Sequence, residues 1–465
     1  MLFNSFNFIF FFIPVLIGFY LIDKYGNVSA KNIFLLIVSY VFYGMFNVKF
    51  LAILAFVTIV NYVSIKVLLH PNFSKKKAIV TIGIVLSLLP LAVFKYTDFF
   101  LNNVLMIGGG KLLSNIILPV GISFFTFQAL SYTIDIYRGK ETQCPSLLDF
   151  ALYVSFFPCI LSGPIERART LMPQIQKRQS FDISLIVNGL QVFLWGVFQK
   201  NVVAEGIAWY TDWTFQSYVN LSGSTIWLAI LLYSIQIYCD FAGYSNMAIG
   251  IGRMLGFDIR KNFDFPYFSS SIRGFWKKWH ISLTSWFTEY VYISLGGNRV
   301  KQSRWIANIL IVFVVSGLWH GAAWTFIIWG LIHGIYYIIE HYLIPNNSNN
   351  RFVTIIKGLF LYLIVSIAWL LFRCESISEA SKILSAGIMN PFGMVNTNTL
   401  TIFLLLILSM IVFGVLEILM YKRRIKILDF KDDPFSWPNL LFSVLIVLMI
   451  EIVGQSGTSF VYFQF

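Results

Sequence analysis

Thirteen apolar runs, cut by short basic loops, leave this chain few folds to adopt. They fall at 5–22, 32–45, 49–69, 78–94, 115–137, 148–163, 184–204, 225–252, 305–318, 323–340, 355–372, 399–420 and 439–454. Of the 465 residues, 58% are hydrophobic and only 12% charged. A water-soluble fold with that balance would leave large apolar patches wet. The reading is an all-α polytopic membrane protein, one membrane domain over 1–465. At about 20 apolar residues per span there is room for roughly ten helices. The first run lacks a basic leader and a small-residue cleavage site, so it reads as a span rather than a signal peptide.

The net charge of +13 does not point to nucleic acid, because the cations sit in the loops between apolar runs, where orientation signals lie. The loops "SKKK" (74–77), "ERARTLMPQIQKR" (166–178), "GNRVKQSR" (297–304) and "YKRRIK" (421–426) are expected in the cytoplasm. One run follows the last of them, which puts the C-terminus, with Tyr462 in "FVYFQF", on the extracytoplasmic face. Cys144, Cys159, Cys239 and Cys374 are scattered, so neither a disulfide framework nor a metal site is expected.

Two segments do not suit lipid. "ILPVGISFFTFQALSYTIDIY" carries Pro, Gly, Gln and Asp, and must be buried in protein or line a cavity. "NFDFPYFSSSIRGFWKKWHISLTSWFTEYVYISLGGNR" mixes aromatics with ionisable groups and reads as interfacial or re-entrant helices.

Polar residues inside apolar runs are costly, so each is a functional candidate. His320 lies in "SGLWHGAAWTF" beside Trp319, among Gly317, Gly321, Ala322 and Ala323. Small residues let helices approach closely or leave room for a ligand. A neutral imidazole there can take a proton from a hydroxyl; it can equally serve as a structural histidine bonded to a carbonyl. His333 is thirteen residues on, roughly 220° round and about 20 Å along an unbroken helix, so it reads as a packing residue. His280 follows Arg273, Lys277 and Lys278. These cations suit phosphate, or else they snorkel from an interfacial helix beside a tryptophan belt. Asp240, in "YCDFAGYSNMAIGIG" with Asn246 near it, needs a partner or a water-filled cavity. It can orient a histidine, bind substrate or hold helices together.

These blocks, with "FFPCILSGPIERARTLMPQI" and the ending "FVYFQF", resemble the membrane-bound O-acyltransferases, in particular the bacterial branch that acetylates alginate and peptidoglycan. They run in order from about residue 119 to the C-terminus. Cys239 and Cys159 stand where an aromatic and a glutamine would be expected. The resemblance implies about eleven membrane helices, with re-entrant or interfacial helices, around a central tunnel, in the bacterial inner membrane. It implies no bound cofactor, an acetyl donor that arrives as a cytoplasmic thioester (acetyl-CoA), a catalytic histidine at His320 and a second tunnel histidine at His280. It further implies a cell-envelope polysaccharide as acceptor and a partner transferase of the SGNH type outside the membrane. Two readings compete: a D-alanyl exporter for teichoic acid, and a flippase for a lipid-linked sugar. Tyr462 reads as an acyl carrier or as an interfacial anchor.

Overall fold

A computed structural model describes residues 1–105, 118–343, 350–389, 391–397, 399–429 and 433–455. Among them every regular element is helical. Nine helices are long and apolar enough to cross a membrane, and two shorter apolar helices accompany them.

The chain gathers into two compact units. The first holds Met1–Phe193 and Met247–Arg260. It contains α1 (Phe6–Tyr25), α2 (Val28–Gly44), α3 (Phe50–Leu69), α4 (Lys76–Asn102), α5 (Ile122–Tyr137), α6 (Leu147–Ser155) and α7 (Ala168–Ile175). Ser5, Asn27 and Ser146 accept hydrogen bonds from backbone N–H groups in the first turns of α1, α2 and α6, supplying partners the helices cannot supply themselves. The polar run of α5 is buried in protein along nearly its whole length. The Gln128 amide donates to the Tyr153 carbonyl and its oxygen accepts from the Glu166 N–H, while Thr133 donates to Asn61.

Two outcomes differ from the sequence reading here. The apolar run 148–163 is no long helix: α6 stops at Ser155 and the chain continues as buried irregular backbone, because Pro158 brings no N–H to extend the ladder. The basic stretch 166–178 is not a plain solvated loop. Glu166 and Arg167 are both buried, and the Glu166 carboxylate accepts from the Arg260 N–H and from Thr170.

The second unit holds Leu194–Asn246 and Lys261–Asp429. It takes up most of α8 (Ile183–Asn220), which runs on from the first unit, and of α9 (Gly223–Met254), whose last turns belong to the first unit. It then adds α10 (Ile272–Lys278), α11 (Ile281–Phe287), α12 (Gln302–His320), α13 (Trp324–Leu343), α14 (Arg351–Arg373), α15 (Ile377–Met389) and α16 (Leu400–Tyr421). The aromatic and ionisable stretch 262–298 forms short helices, as its composition requires. Helix α15 was not anticipated. Helices α12 and α13 make a tight hairpin. A Cβ on Gly317 would lie 2.2 Å from the Phe326 carbonyl oxygen, and one on Gly330 would lie 2.3 Å from that of Phe313. Only hydrogen at both positions allows this approach.

Candidate active site

Helix α12 presents one face to a cavity of about 700 Å³. Gln302, Trp305, Ile309, Val312, Phe313, Ser316 and His320 line it, at the three- and four-residue spacing that keeps side chains on one side of a helix. From Gln302 to His320 that stripe spans roughly 27 Å, so the space is long relative to its volume. Arg273, Lys277, His280 and Thr284 contribute from α10, α11 and the turn between them, and Tyr337 and His341 from α13.

His320 is the last residue of α12, not the middle of a longer helix. Gly321 leaves the helix in an extended conformation, and a Cβ there would overlap the Phe326 ring at 2.1 Å. The small residues flanking His320 therefore serve close packing: Gly317 and Gly321 are filled by Phe326, and the room for a ligand lies on the α12 face instead. The His320 ring meets Trp319, Trp329 and Phe372 edge to face, with centroids 4.8, 5.3 and 5.2 Å away. Such pairs fix a ring's orientation as well as burying it.

His280 sits at the break between α10 and α11. Its backbone is left-handed, φ 44° and ψ 54°, which costs a non-glycine residue about 1–3 kcal/mol and persists only where the surroundings enforce it. The enforcing residue is Asn262. Its backbone carbonyl accepts from the Ile281 N–H at 2.8 Å, and its side-chain oxygen accepts from the Ser282 N–H and hydroxyl at 3.2 and 2.9 Å. The same oxygen lies 3.0 Å from His280 Nδ1. His280 lies outside the nine spanning helices, and burial pushes its imidazole down to about 3, so the ring is neutral at physiological pH. Trp319 joins the two histidines, its ring 5.9 Å from His280 and 4.8 Å from His320.

The three basic candidates near His280 divide. Arg273 lines the cavity, stacks over Tyr337 at 5.4 Å and lies 3.3 Å from His341 Nδ1. Lys277 lines it too. Lys278, one residue on, instead faces a separate small pocket with Lys261, Asp264, Arg423, Lys426 and Asp429, since adjacent helical side chains point about 100° apart. Arg299 is exposed and is not among the residues lining either pocket. Glu340, which sequence reasoning passed over, accepts from the Ile272 and Arg273 N–H groups. A carboxylate at that helix start steadies the segment carrying the cations.

Asp240 and Asn246 lie elsewhere in the unit. Lys200 Nζ is 2.6 Å from Asp240 and 3.5 Å from Glu205, and Asn246 donates to Gln199 at 2.7 Å. Neither residue is among those lining the cavity. His333 packs against Trp276 and Trp329, so Trp329 separates it from His320. Tyr462 lies outside the described residues. Among the described residues no group of His, Cys, Asp and Glu could hold a metal ion.

What this arrangement can do is narrow. It offers two buried imidazoles at one end of a long, largely apolar slot, with cations along its course. That suits proton transfer to and from a linear substrate bearing an activated carbonyl. Asn262, Ser316 and Tyr337 escaped the sequence reading because nothing in their local spacing distinguishes them; only the fold brings them to the histidines and the slot.

Comparison with known proteins gives the family. Residues 35–377 match the family model for membrane-bound O-acyltransferases. The chain is 37% identical over 400 residues to a probable alginate O-acetylase, AlgI, of Azotobacter vinelandii, covering 84% of this chain and 79% of the relative. It is 36% identical over 431 residues to the peptidoglycan O-acetyltransferase of Helicobacter pylori, covering 86% and 80%. A teichoic acid D-alanyltransferase of Bacillus subtilis is 30% identical over 231 residues, covering 48% and 58%. With the family model spanning most of the chain and the helices long enough to cross a bilayer repeatedly, the chain is a multi-pass membrane acyltransferase and belongs to the membrane-bound O-acyltransferase family.

Proposed function

We propose that this protein takes an acetyl group from a cytoplasmic thioester, acetyl-CoA, and passes it across the bacterial inner membrane for O-acetylation of a cell-envelope polysaccharide. The observation that carries the reading is the slot along α12, which runs beside Arg273 and Lys277 and reaches His280 and His320. A linear acyl-thioester arm suits such a slot, and the cations suit the donor's phosphates. The relatives named for alginate and peptidoglycan acetylation match most of this chain, whereas the D-alanyl relative matches under half of it. That favours acetyl over D-alanyl transfer.

In this reading His320 removes the proton from an attacking hydroxyl. The oxygen adds to the thioester carbonyl, the C–S bond breaks, and the imidazolium returns its proton to the departing thiolate. No net proton is consumed. Burial among Trp319, Trp329 and Phe372 keeps water from competing for the acyl group. Tyr462 is the acceptor hydroxyl we assign, as an aryl ester able to pass acetyl on to a serine of an SGNH-type transferase outside the membrane. Its position follows from the basic-loop argument, which sets the C-terminus on the outer face.

The test uses purified protein in lipid nanodiscs with acetyl-CoA labelled in the acetyl group. We expect release of free CoA thiol and label retained on the protein, with the retained label lost in Tyr462→Phe. Absence of thiol release would exclude the acetyl-CoA reading. Undiminished label in Tyr462→Phe would leave the tail as an anchor.

A further inference from the structure

We propose that Asn262 is a positioning residue for the acyl-transfer site: it holds His280 as the Nδ1–H tautomer, so that Nε2 carries the lone pair. The proposal rests on the reading that His280 takes part in the reaction. Asn262 is buried, and its amide has one defensible orientation. Its oxygen end faces the Ser282 N–H at 3.2 Å, a group that can only donate. The Ser282 hydroxyl, at 2.9 Å, donates to the same atom. Its nitrogen end donates to the Ser245 hydroxyl at 3.2 Å. The atom 3.0 Å from His280 Nδ1 is therefore a carbonyl oxygen, which can only accept. Nδ1 must bear the proton, and in a neutral ring Nε2 must then be the acceptor.

This decides what His280 can do from the wall of the slot. It can accept a hydrogen bond or a proton at Nε2; it cannot offer a proton there while neutral. Asn262 also clamps Ile281 and Ser282, so the same residue sets the ring's tautomer and its unusual backbone. A partner that fixes an imidazole through its second nitrogen is commonly worth about 10- to 100-fold in function where histidines bind metals, and the same physical reasoning applies to a histidine that accepts protons.

The decisive experiment reads the tautomer and the rate separately. In full-length protein carrying ¹⁵N-histidine, the His280 resonances are identified by their loss in His280→Ala. We expect one protonated nitrogen, Nδ1, and one unprotonated nitrogen, Nε2. Asn262→Leu should mix the tautomers and lower the kcat of acetyl-CoA thiol release roughly 10- to 100-fold, with KM for the donor within about two-fold. Asn262→Asp, whose carboxylate still accepts from Nδ1–H, should recover most of that loss. Ser282→Ala removes a second donor to the same oxygen and should cost less than about two-fold. An Nε2–H tautomer in the parent protein would overturn the proposal, as would full turnover in Asn262→Leu. A loss in Ser282→Ala equal to that in Asn262→Leu would assign the effect to the loop and overturn the positioning role. Full turnover in His280→Ala would remove His280 from the reaction, and the positioning role with it, while the tautomer would still be read from the spectrum.

Discussion

Two of the places where the second unit buries ionisable groups treat them in opposite ways. Around His320 the groups are imidazoles, packed against aromatics, on the wall of a cavity. Around Asp240 they are full charges packed together: a lysine lies within 4 Å of two carboxylates, Asp240 and Glu205, and none of the three lines the cavity. One rule of sequence reading singled out both sites, that an ionisable residue within an apolar run marks function. The fold separates them. A charge surrounded by counter-charges is bound to its own structure, whereas an imidazole beside open space can act on something else.

That contrast is broken most directly at His320. Replacing it with alanine should lower acetyl transfer by about 10²–10⁴-fold, the usual worth of a positioned base. Protein yield and thermal stability in detergent should stay near those of the parent, because the aromatic rings packed around the imidazole remain in place. Transfer within ten-fold of the parent, measured by CoA thiol release, would remove His320 from the role of base.

Asp240 should show the converse. Asp240→Ala removes the nearest carboxylate from buried Lys200, and breaking a buried pair typically costs roughly 3–5 kcal/mol. The expected result is a marked drop in melting temperature and in membrane yield, with near-normal turnover per folded molecule. A stable but inactive Asp240→Ala protein would erase the distinction between the two sites and move Asp240 into the chemistry. Helix α8 adds a reason to expect structural fragility here: Lys200 lies in a π-helical stretch, Phe198–Ala204, where the ordinary backbone ladder is already interrupted.

The fold was legible where a single period carried it. The apolar runs mark where the spanning helices lie, and the odd composition of 262–298 announces its short helices. His320 was legible as a candidate from its block, although its place at the end of α12 was not, since only the packing of Phe326 onto Gly321 reveals where the helix must stop. Asn262 was not legible at all. It lies eighteen residues from His280 in a stretch of mixed composition, and its importance comes from a left-handed turn at His280 that no local pattern announces. Asp240 was legible as costly, but its partner Lys200 is forty residues away on another helix. Residues that act through long-range contacts are hidden in this way, because period and propensity are local quantities.

The smallest effect divides two neighbours that the sequence treats alike. Lys277 and Lys278 both follow Trp276, and charge reversal at either would weaken a phosphate-bearing donor if both faced it. Only Lys277 lines the slot; Lys278 lies 5.9 Å over the Tyr421 ring, in the pocket shared with Lys261, Arg423 and Lys426. Lys277 is exposed, so its pull on the donor is screened by water and salt. An exposed pair of this kind is worth about 0.2–1 kcal/mol, and Lys277→Glu should raise the donor KM roughly two- to five-fold with kcat unchanged, because it removes binding rather than chemistry. The effect should shrink as salt is added. Lys278→Glu should leave the donor KM within experimental scatter. Equal shifts in the two variants would show that the donor's phosphates reach both pockets at once, and the slot would then extend past α10 toward the end of α16; a shift in Lys278→Glu alone would place the donor's charged end outside the slot altogether.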